Sequence, residues 1–205
     1  MTINTGPILV VEDIGAVREL IEVQLKLRGY IVRTARDGQD ALEMIAVEKP
    51  AVIVTDILMP RMDGFALAHH LRNDPQMAGV PIIFLSATYV TMEDEQFALT
   101  LGAMRFLPKP VDSDELFVAV ADALTGQAHA HPPMPERDFY SGYRQRLENK
   151  LRQKATQVAR SHQQLESLPA DQRETYRRLL SEAQVQYDEI QHELAVLSGL
   201  LQELE

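Results

Sequence analysis

The chain of 205 residues is 45% hydrophobic, 24% charged and 6% aromatic, the composition of a folded protein long enough for one or two domains. Its 20 Lys and Arg against 30 Asp and Glu give a formal charge of −10, which opposes binding to nucleic acid or anionic membrane unless the basic residues are gathered in one place. Cysteine is absent, which excludes disulfides, thiolate nucleophiles and cysteine metal sites, and no apolar run approaches the roughly 20 residues of a membrane span.

Met1 to Pro7 has no basic patch leading into an apolar stretch, so no signal peptide is expected and the chain reads as cytoplasmic. Ile8 to Val11 is an apolar run of buried-strand length. Ile14 to Arg28 follows with Val17, Leu20, Ile21, Leu25 and Leu27 at helical spacing, and Gly29 closes that helix. Tyr30 to Ala35 predicts a second strand, Gln39 to Val47 a second helix, and Ala51 to Thr55 a third strand. Phe65 to Arg72 is helical, Pro81 to Leu85 a fourth strand, Glu93 to Leu101 a fourth helix and Met104 to Leu107 a short fifth strand. Asp112, placed as an N-cap, starts a helix running to about Leu124. Strict alternation of strand and helix predicts an α/β domain, a doubly wound parallel sheet of five strands with helices on both faces.

Charge and pattern change near residue 125. Residues 1–125 hold 10 Lys and Arg against 18 Asp and Glu, and residues 136–205 hold 10 against 12 with Gln and Leu abundant. Between them, residues 126–135 combine Gly126 with three prolines and read as a semi-extended linker, with His129 and His131 as exposed linker histidines. Residues 136–205 predict two helices broken at Leu168-Pro169, Pro169 fitting the first turn of the second, with Asp171 and Glu174 near its positive end. In the second stretch Tyr176, Leu180, Ala183, Tyr187, Ile190, Leu194, Leu197, Leu201 and Leu204 alternate steps of four and three, a coiled-coil pattern. The first stretch runs Tyr140, Tyr143, Leu147, Leu151, Ala155, Val158, His162 and Leu165, with extra four-residue steps that mark a stutter. A short break makes the pair an antiparallel helical hairpin, basic over 136–160 and acidic over 161–205. Leu179 and Leu200 widen the second stripe beyond a two-helix seam. A four-helix bundle of two chains is therefore expected, a homodimer with Ile190, Leu194, Leu197 and Leu201 in its seam.

Ligands of open α/β sheets bind at the carboxyl ends of the strands. There the chain places Glu12 and Asp13 after the first strand, Asp56 after the third, Ser86 after the fourth and Lys109-Pro110 after the fifth. Singly, Asp13 or Ser86 reads as a helix cap. Together, three carboxylates, a hydroxyl and an ammonium point to a hard divalent cation such as Mg²⁺, which takes few carboxylates and recruits phosphate oxygens. The lysine and hydroxyl suit a phosphoryl group carrying spread negative charge.

On Val10-Val-Glu-Asp13, Asp56-Ile-Leu-Met-Pro-Arg-Met-Asp-Gly64, Leu85-Ser-Ala87 and Gly102-Ala-Met-Arg-Phe-Leu-Pro-Lys-Pro110, residues 1–125 resemble the receiver domain of two-component response regulators. The resemblance implies a flavodoxin-like sheet of order 2-1-3-4-5, with Asp56 as phospho-acceptor attacking a phosphohistidine of a sensor histidine kinase or phosphotransfer protein. It implies Mg²⁺ held by Asp13, Glu12, Asp56 and the main-chain carbonyl of Leu58. Glu12 stands where many relatives have Asp. Lys109 would pair with a phosphoryl oxygen beside a cis peptide bond to Pro110, and Ser86 would close on the phosphoryl group. Phe106 would turn inward as the switch aromatic, reshaping the face of the fourth helix, fifth strand and fifth helix. Leu58 and Thr88 would tune phosphate lifetime. The resemblance implies a signalling domain rather than an enzyme with a separate catalytic output.

The resemblance stops before residue 136. DNA binding would rest on Arg137 to Arg160 with Phe139, Tyr140 and Tyr143, which read more simply as a solvated face and bundle core. No helix-turn-helix is legible, and specific DNA binding is not expected. A histidine-phosphotransfer output would rest on His192-Glu-Leu194, an echo of a kinase phosphoacceptor motif, or on His162, which reads as a seam residue. A protein-binding, coiled-coil output toward an unknown downstream protein is the reading these patterns favour.

Overall fold

A computed structural model describes residues 6–86, 92–126, 133–167 and 169–203. His129, His131, Thr88, Leu168 and Leu204 lie outside them. The elements in chain order are β1 (Ile8–Val11), α1 (Gly15–Leu27), β2 (Val32–Ala35), α2 (Gly38–Val47), β3 (Val52–Asp56), α3 (Gly64–Asn73), β4 (Ile82–Ser86), α4 (Met92–Thr100), β5 (Ala103–Pro108), α5 (Ser113–Thr125), α6 (Glu136–Ser167) and α7 (Ala170–Glu203). They form two compact units, residues 1–134 and 135–205. Among the described residues no helix is long and apolar enough to cross a membrane.

In the first unit the five strands are parallel in the order β2-β1-β3-β4-β5, as the resemblance implies. β1, β3 and β4 are buried along their whole length, which is why they read as continuous apolar runs rather than alternating ones. Ile8, Val10, Val52, Val54, Ile83 and Leu85 pack with Ile21 and Leu25 of α1 and with Leu116, Ala119 and Val120 of α5. Burying each of the larger side chains contributes about 1.5–3 kcal/mol.

Short carboxylates start α2, α3 and α5, whereas α1 begins after Ile14 with no side-chain cap, so Asp13 does not serve as one. The carboxylate of Asp37 accepts from the Asp40 N–H at 3.0 Å, that of Asp63 from Ala66 at 2.9 Å, and that of Asp112 from Asp114 and Glu115 at 3.0 Å each. At the end of α1 the C-cap is Arg28, one residue before the expected Gly29. Gly29 takes the left-handed φ of 84° that turns the chain out of the helix.

Gly64 is required where it stands, because a Cβ there would meet the Asp56 carbonyl oxygen at 2.3 Å. Its N–H donates to Ile57 O at 2.9 Å, seating α3 against the end of β3. Gly64→Ala is expected to cost about 1–3 kcal/mol through overpacking against backbone. Thermal unfolding checks this, and an unchanged midpoint contradicts it.

At the other end of α3, the buried Arg72 guanidinium donates to three carbonyls, Leu101 at 3.1 Å, Val80 at 3.0 Å and Gly102 at 2.9 Å. Burial lowers its pKa to about 10, so it remains charged at neutral pH. Phe65 of α3 lies between Phe84 of β4, 5.5 Å between centroids, and Phe97 of α4, 5.3 Å and edge-on. α3 thus holds the α4 region at both ends.

The second unit is α6 packed on α7. Tyr143 donates to Glu193 Oε1 at 2.5 Å, Lys154 to Gln186 Oε1 at 2.7 Å, and Tyr176 to Gln164. Residues early in α6 meet residues late in α7, so the hairpin is antiparallel. Pro169 stands one residue ahead of α7 rather than inside its first turn, where its missing N–H costs the helix nothing.

The phase of α6 differs from the expected one after Leu151. Lys154 and Ser161 are half-buried while Ala155 and His162 are exposed, so the three-four alternation resumes one residue earlier. Apolar letters favour Ala155, but a lysine lays its methylene stem along the seam and places its ammonium on Gln186. Burial and the neighbouring Lys150 lower the pKa of Lys154.

Candidate functional site at the strand carboxyl ends

Parallel register explains how distant residues meet. Val11 lies beside Thr55 and Asp56 beside Leu85, so the residues that follow β1, end β3 and end β4 share one edge. Glu12 is fully buried, Asp56 and Ser86 are 5% exposed and Asp13 is exposed. Carboxylate oxygens of Glu12, Asp13 and Asp56 lie within 4.8 Å of one another. Lys109, directly after β5, reaches them with its Nζ 2.6 Å from Glu12 Oε2 and 2.8 Å from Asp56 Oδ2.

Burial pushes the Asp56 and Glu12 carboxyls above the usual range, and the Lys109 ammonium opposes this in both. Burial acts to lower the Lys109 pKa, but the Asp56 and Glu12 carboxylates outweigh it and raise the ammonium. Burial thus disfavours charge on the two carboxyls, and the Lys109 ammonium between them offsets part of that cost.

Backbone groups fix these side chains. Asp56 Oδ1 accepts from the Ile57 N–H at 2.8 Å and Glu12 Oε1 from the Ile14 N–H at 3.3 Å. The Lys109 N–H donates to the Ser86 carbonyl at 2.7 Å, and the Lys109-Pro110 peptide is cis. Phe106 lies on β5 opposite Phe84 and is half-buried. Leu58, two residues past Asp56, is 39% exposed.

Hard oxygen donors close together, two of them on rigid strand ends, match the ligand set Mg²⁺ prefers. The carboxylates of Glu12, Asp13 and Asp56 fit that ion.

Two neighbours of the site have no counterpart in the sequence reading. Arg18 donates to the carbonyls of Glu12 at 2.6 Å and Asp13 at 3.3 Å, pinning the β1–α1 connection. Asp37 and Arg61 form an ion pair beside the β3–α3 connection. Arg18 lies one turn into a helix whose apolar spacing was the visible signal, and nothing in Arg61 announces its backbone conformation.

In the hairpin, Ile190 and Leu197 are each 4% exposed, whereas Leu194 and Leu201 are half-buried. His162 and His192 are exposed. Phe139 and Tyr143 are buried and stack at 5.3 Å, so they are not offered to solvent as base-stacking surfaces.

Known proteins resemble the first unit. The family profile of the response regulator receiver domain matches residues 8–121. The response regulator PleD of Caulobacter vibrioides is 41% identical over 113 residues, 55% of this chain and 25% of that protein. The response regulator MprA of Mycobacterium ulcerans is 41% identical over 109 residues, 53% of this chain and 46% of its own length. The chain spans half the length or less of the curated relatives it matches. Among solved structures, Vibrio cholerae chemotaxis protein CheY4 superposes with a TM-score of 0.55 at 31% identity, covering 58% of this chain and 99% of that one. With more than half its length matched, on the fold and strand order seen here, the chain belongs to the response regulator receiver domain family.

Proposed function

We propose that the chain is a phosphoryl acceptor that signals through its C-terminal hairpin. Asp56 would attack the phosphorus of a phosphohistidine on a sensor histidine kinase or phosphotransfer protein. A P–O bond forms to the carboxylate, the P–N bond breaks and the imidazole keeps the electron pair. The observation that carries this reading is Lys109 held between Asp56 and Glu12. When a phosphoryl group arrives, the same ammonium is placed to pair with its oxygens. Glu12, Asp13, Asp56 and the Leu58 carbonyl would hold Mg²⁺, which when bound supplies positive charge against the phosphoryl oxygens. The Ser86 hydroxyl would satisfy a phosphoryl oxygen in one loop position and Phe106 would follow. Leu99 on α4, Met104 on β5 and Val118 on α5 are exposed apolar side chains, which supports this face as the one a partner reads.

For the output, the half-buried Leu194 and Leu201 and the exposed Leu179, Val196 and Leu200 support pairing of the hairpin with its copy. The homodimer would engage a downstream protein from a cytoplasmic setting, without membrane insertion or specific DNA binding. A histidine-phosphotransfer or DNA-binding output has less support, since the His192-Glu-Leu194 echo is three residues long and Phe139 and Tyr143, the aromatics a nucleic-acid face would use, are buried.

Recovery of the phosphoryl group on residue 56 after incubation with Mg²⁺ and a small acyl phosphate, mapped by mass spectrometry, tests the acceptor. Phosphorylation elsewhere overturns it.

Proton linkage gives a second test. Carboxyls raised by burial take up protons in the folded state before the unfolded one. Without Mg²⁺, their contribution to stability is therefore full below the ordinary carboxylate range and is lost as pH rises through the raised values of Glu12 and Asp56. Mg²⁺ competes with those protons, so the rise in unfolding temperature it produces should be larger at pH 8 than at pH 5. An equal rise at both pH values contradicts carboxylate ligation.

A further inference from the structure

The connection between β3 and α3 begins at Asp56 and is held at two places. At its base, the Ile57 N–H bonds the Asp56 carboxylate, and the Gly64 N–H closes back on the Ile57 carbonyl at 2.9 Å. At its tip stands Arg61 with φ 63°, the one non-glycine residue in the left-handed region among the described residues. L side chains adopt that conformation at a cost, and it persists where surrounding contacts enforce it. Here the contacts come from α2. Arg61 directs Nε, at 2.7 Å, and Nη2 at Asp37 Oδ2, while Oδ1 of the same carboxylate caps α2 through the Asp40 N–H. Asp37 is 1% exposed. One residue on, the Gly38 N–H donates to the Met62 carbonyl at 2.9 Å, and a Cβ on Gly38 would meet Met62 Cγ at 2.6 Å.

A forked cation on a buried carboxylate is a directional tie, since both guanidinium N–H groups aim at one oxygen. The pair joins the tip of the connection, where Arg61 is left-handed, to the start of α2. A surface pair of long side chains on opposite helices does not have that geometry.

We propose that Asp37 and Arg61 are positioning residues for the reaction at Asp56. They clamp the connection that starts at the acceptor, so that the Ile57 N–H keeps the Asp56 carboxylate in the orientation that faces Glu12, Asp13 and Lys109. The proposal rests on the reading of Asp56 as the phosphoryl acceptor. Neither residue touches the carboxylate cluster in any bond described above, so their effect runs through the backbone.

The test uses the full chain with Arg61→Gly, Arg61→Lys, Asp37→Asn and the double variant Asp37→Asn/Arg61→Gly. Arg61→Gly removes the guanidinium and the left-handed strain together, because glycine adopts positive φ freely. Asp37→Asn keeps an oxygen to cap α2 and removes the charge. Two quantities are read: the Mg²⁺ concentration at half-maximal thermal shift of the unphosphorylated chain, and the labelling kinetics with acetyl phosphate.

Arg61→Gly and Asp37→Asn should each raise the Mg²⁺ midpoint and lower the maximal labelling rate about tenfold, the low end of what supporting shells of metal sites contribute. The half-saturating donor concentration should stay unchanged. The double variant should be no worse than either single, and Arg61→Lys should recover part of the rate. In Mg²⁺-free buffer, Arg61→Gly should lower the unfolding temperature because it leaves the buried Asp37 carboxylate without its cation, and the double variant, which removes that charge, should regain part of the loss. A purely structural tie would let the labelling rate recover with it, whereas the clamp leaves the double variant as slow as the singles.

Full labelling rate in Arg61→Gly, or single effects that multiply in the double variant, overturns the clamp while leaving the acceptor reading intact. No labelling of the wild type overturns the acceptor reading, and the clamp with it.

Discussion

Asp56→Asn should reduce labelling by a small acyl phosphate to background, a loss of roughly 10⁴-fold or more, the scale seen when a nucleophile is removed. The amide keeps the shape of the carboxylate and can still meet the Ile57 N–H, so the fold is retained while the attacking oxygen loses its charge. Lys109→Ala should act differently. It leaves Glu12, Asp13 and Asp56 in place for Mg²⁺ but removes the cation that lies 2.6 and 2.8 Å from two of them. Labelling should fall about 10²–10³-fold, the value of one preorganised electrostatic contact. Phosphate incorporation measured alongside Mg²⁺ binding separates the two variants. Undiminished labelling of Asp56→Asn removes the central assignment.

Ile190→Glu should be strongly damaging to the hairpin. Ile190 is 4% exposed in the seam between α6 and α7, and an unpaired carboxylate there costs about 3–5 kcal/mol. Helical circular dichroism of residues 136–205 should fall sharply. Leu194→Glu lies on a half-buried position of the same helix and should keep the helicity while dissociating the dimer. A micromolar dimer needs only about 8 kcal/mol net, so a few lost leucine contacts suffice. Light scattering distinguishes the outcomes. A wild-type mass near 23.1 kDa at tens of micromolar rejects the dimer, and a Leu194→Glu chain that stays at twice that mass removes Leu194 from the interface.

The sheet was readable because a parallel strand buried on both faces leaves an uninterrupted apolar run, as in Ile8 to Val11 and Ile82 to Leu85. Alternation of strands with helical spacing then fixed the class of fold, and its topology brings the strand carboxyl ends together. The meeting of Glu12, Asp13, Asp56 and Lys109 follows from that topology, since each stands within two residues of a strand end. Asp112 was legible as a cap because it directly precedes the apolar stripe of α5, with Asp114 and Glu115 in the first turn.

What escaped the sequence has a common physical origin. Arg18, Arg61 and Arg72 act on backbone carbonyls or on a carboxylate far along the chain, and long flexible side chains leave no periodic trace. The left-handed φ of Arg61 is imposed by tertiary contacts rather than by its own preference. The phase of α6 was misread at Ala155 because apolar spacing counts letters, whereas Lys154 contributes a methylene stem that the count ignores.

The three acceptors of Arg72 are all main-chain oxygens, and every residue type carries one. The tie between α3 and the start of β5 is therefore blind to which side chains occupy positions 80 and 101, with only Gly102 constrained by its φ of 76°. Exposed side chains nearby, such as Leu99 and Met104, take no part in this grip and can change without touching it. On the proposal that this face reads a partner, its preference can change while the joint itself is kept.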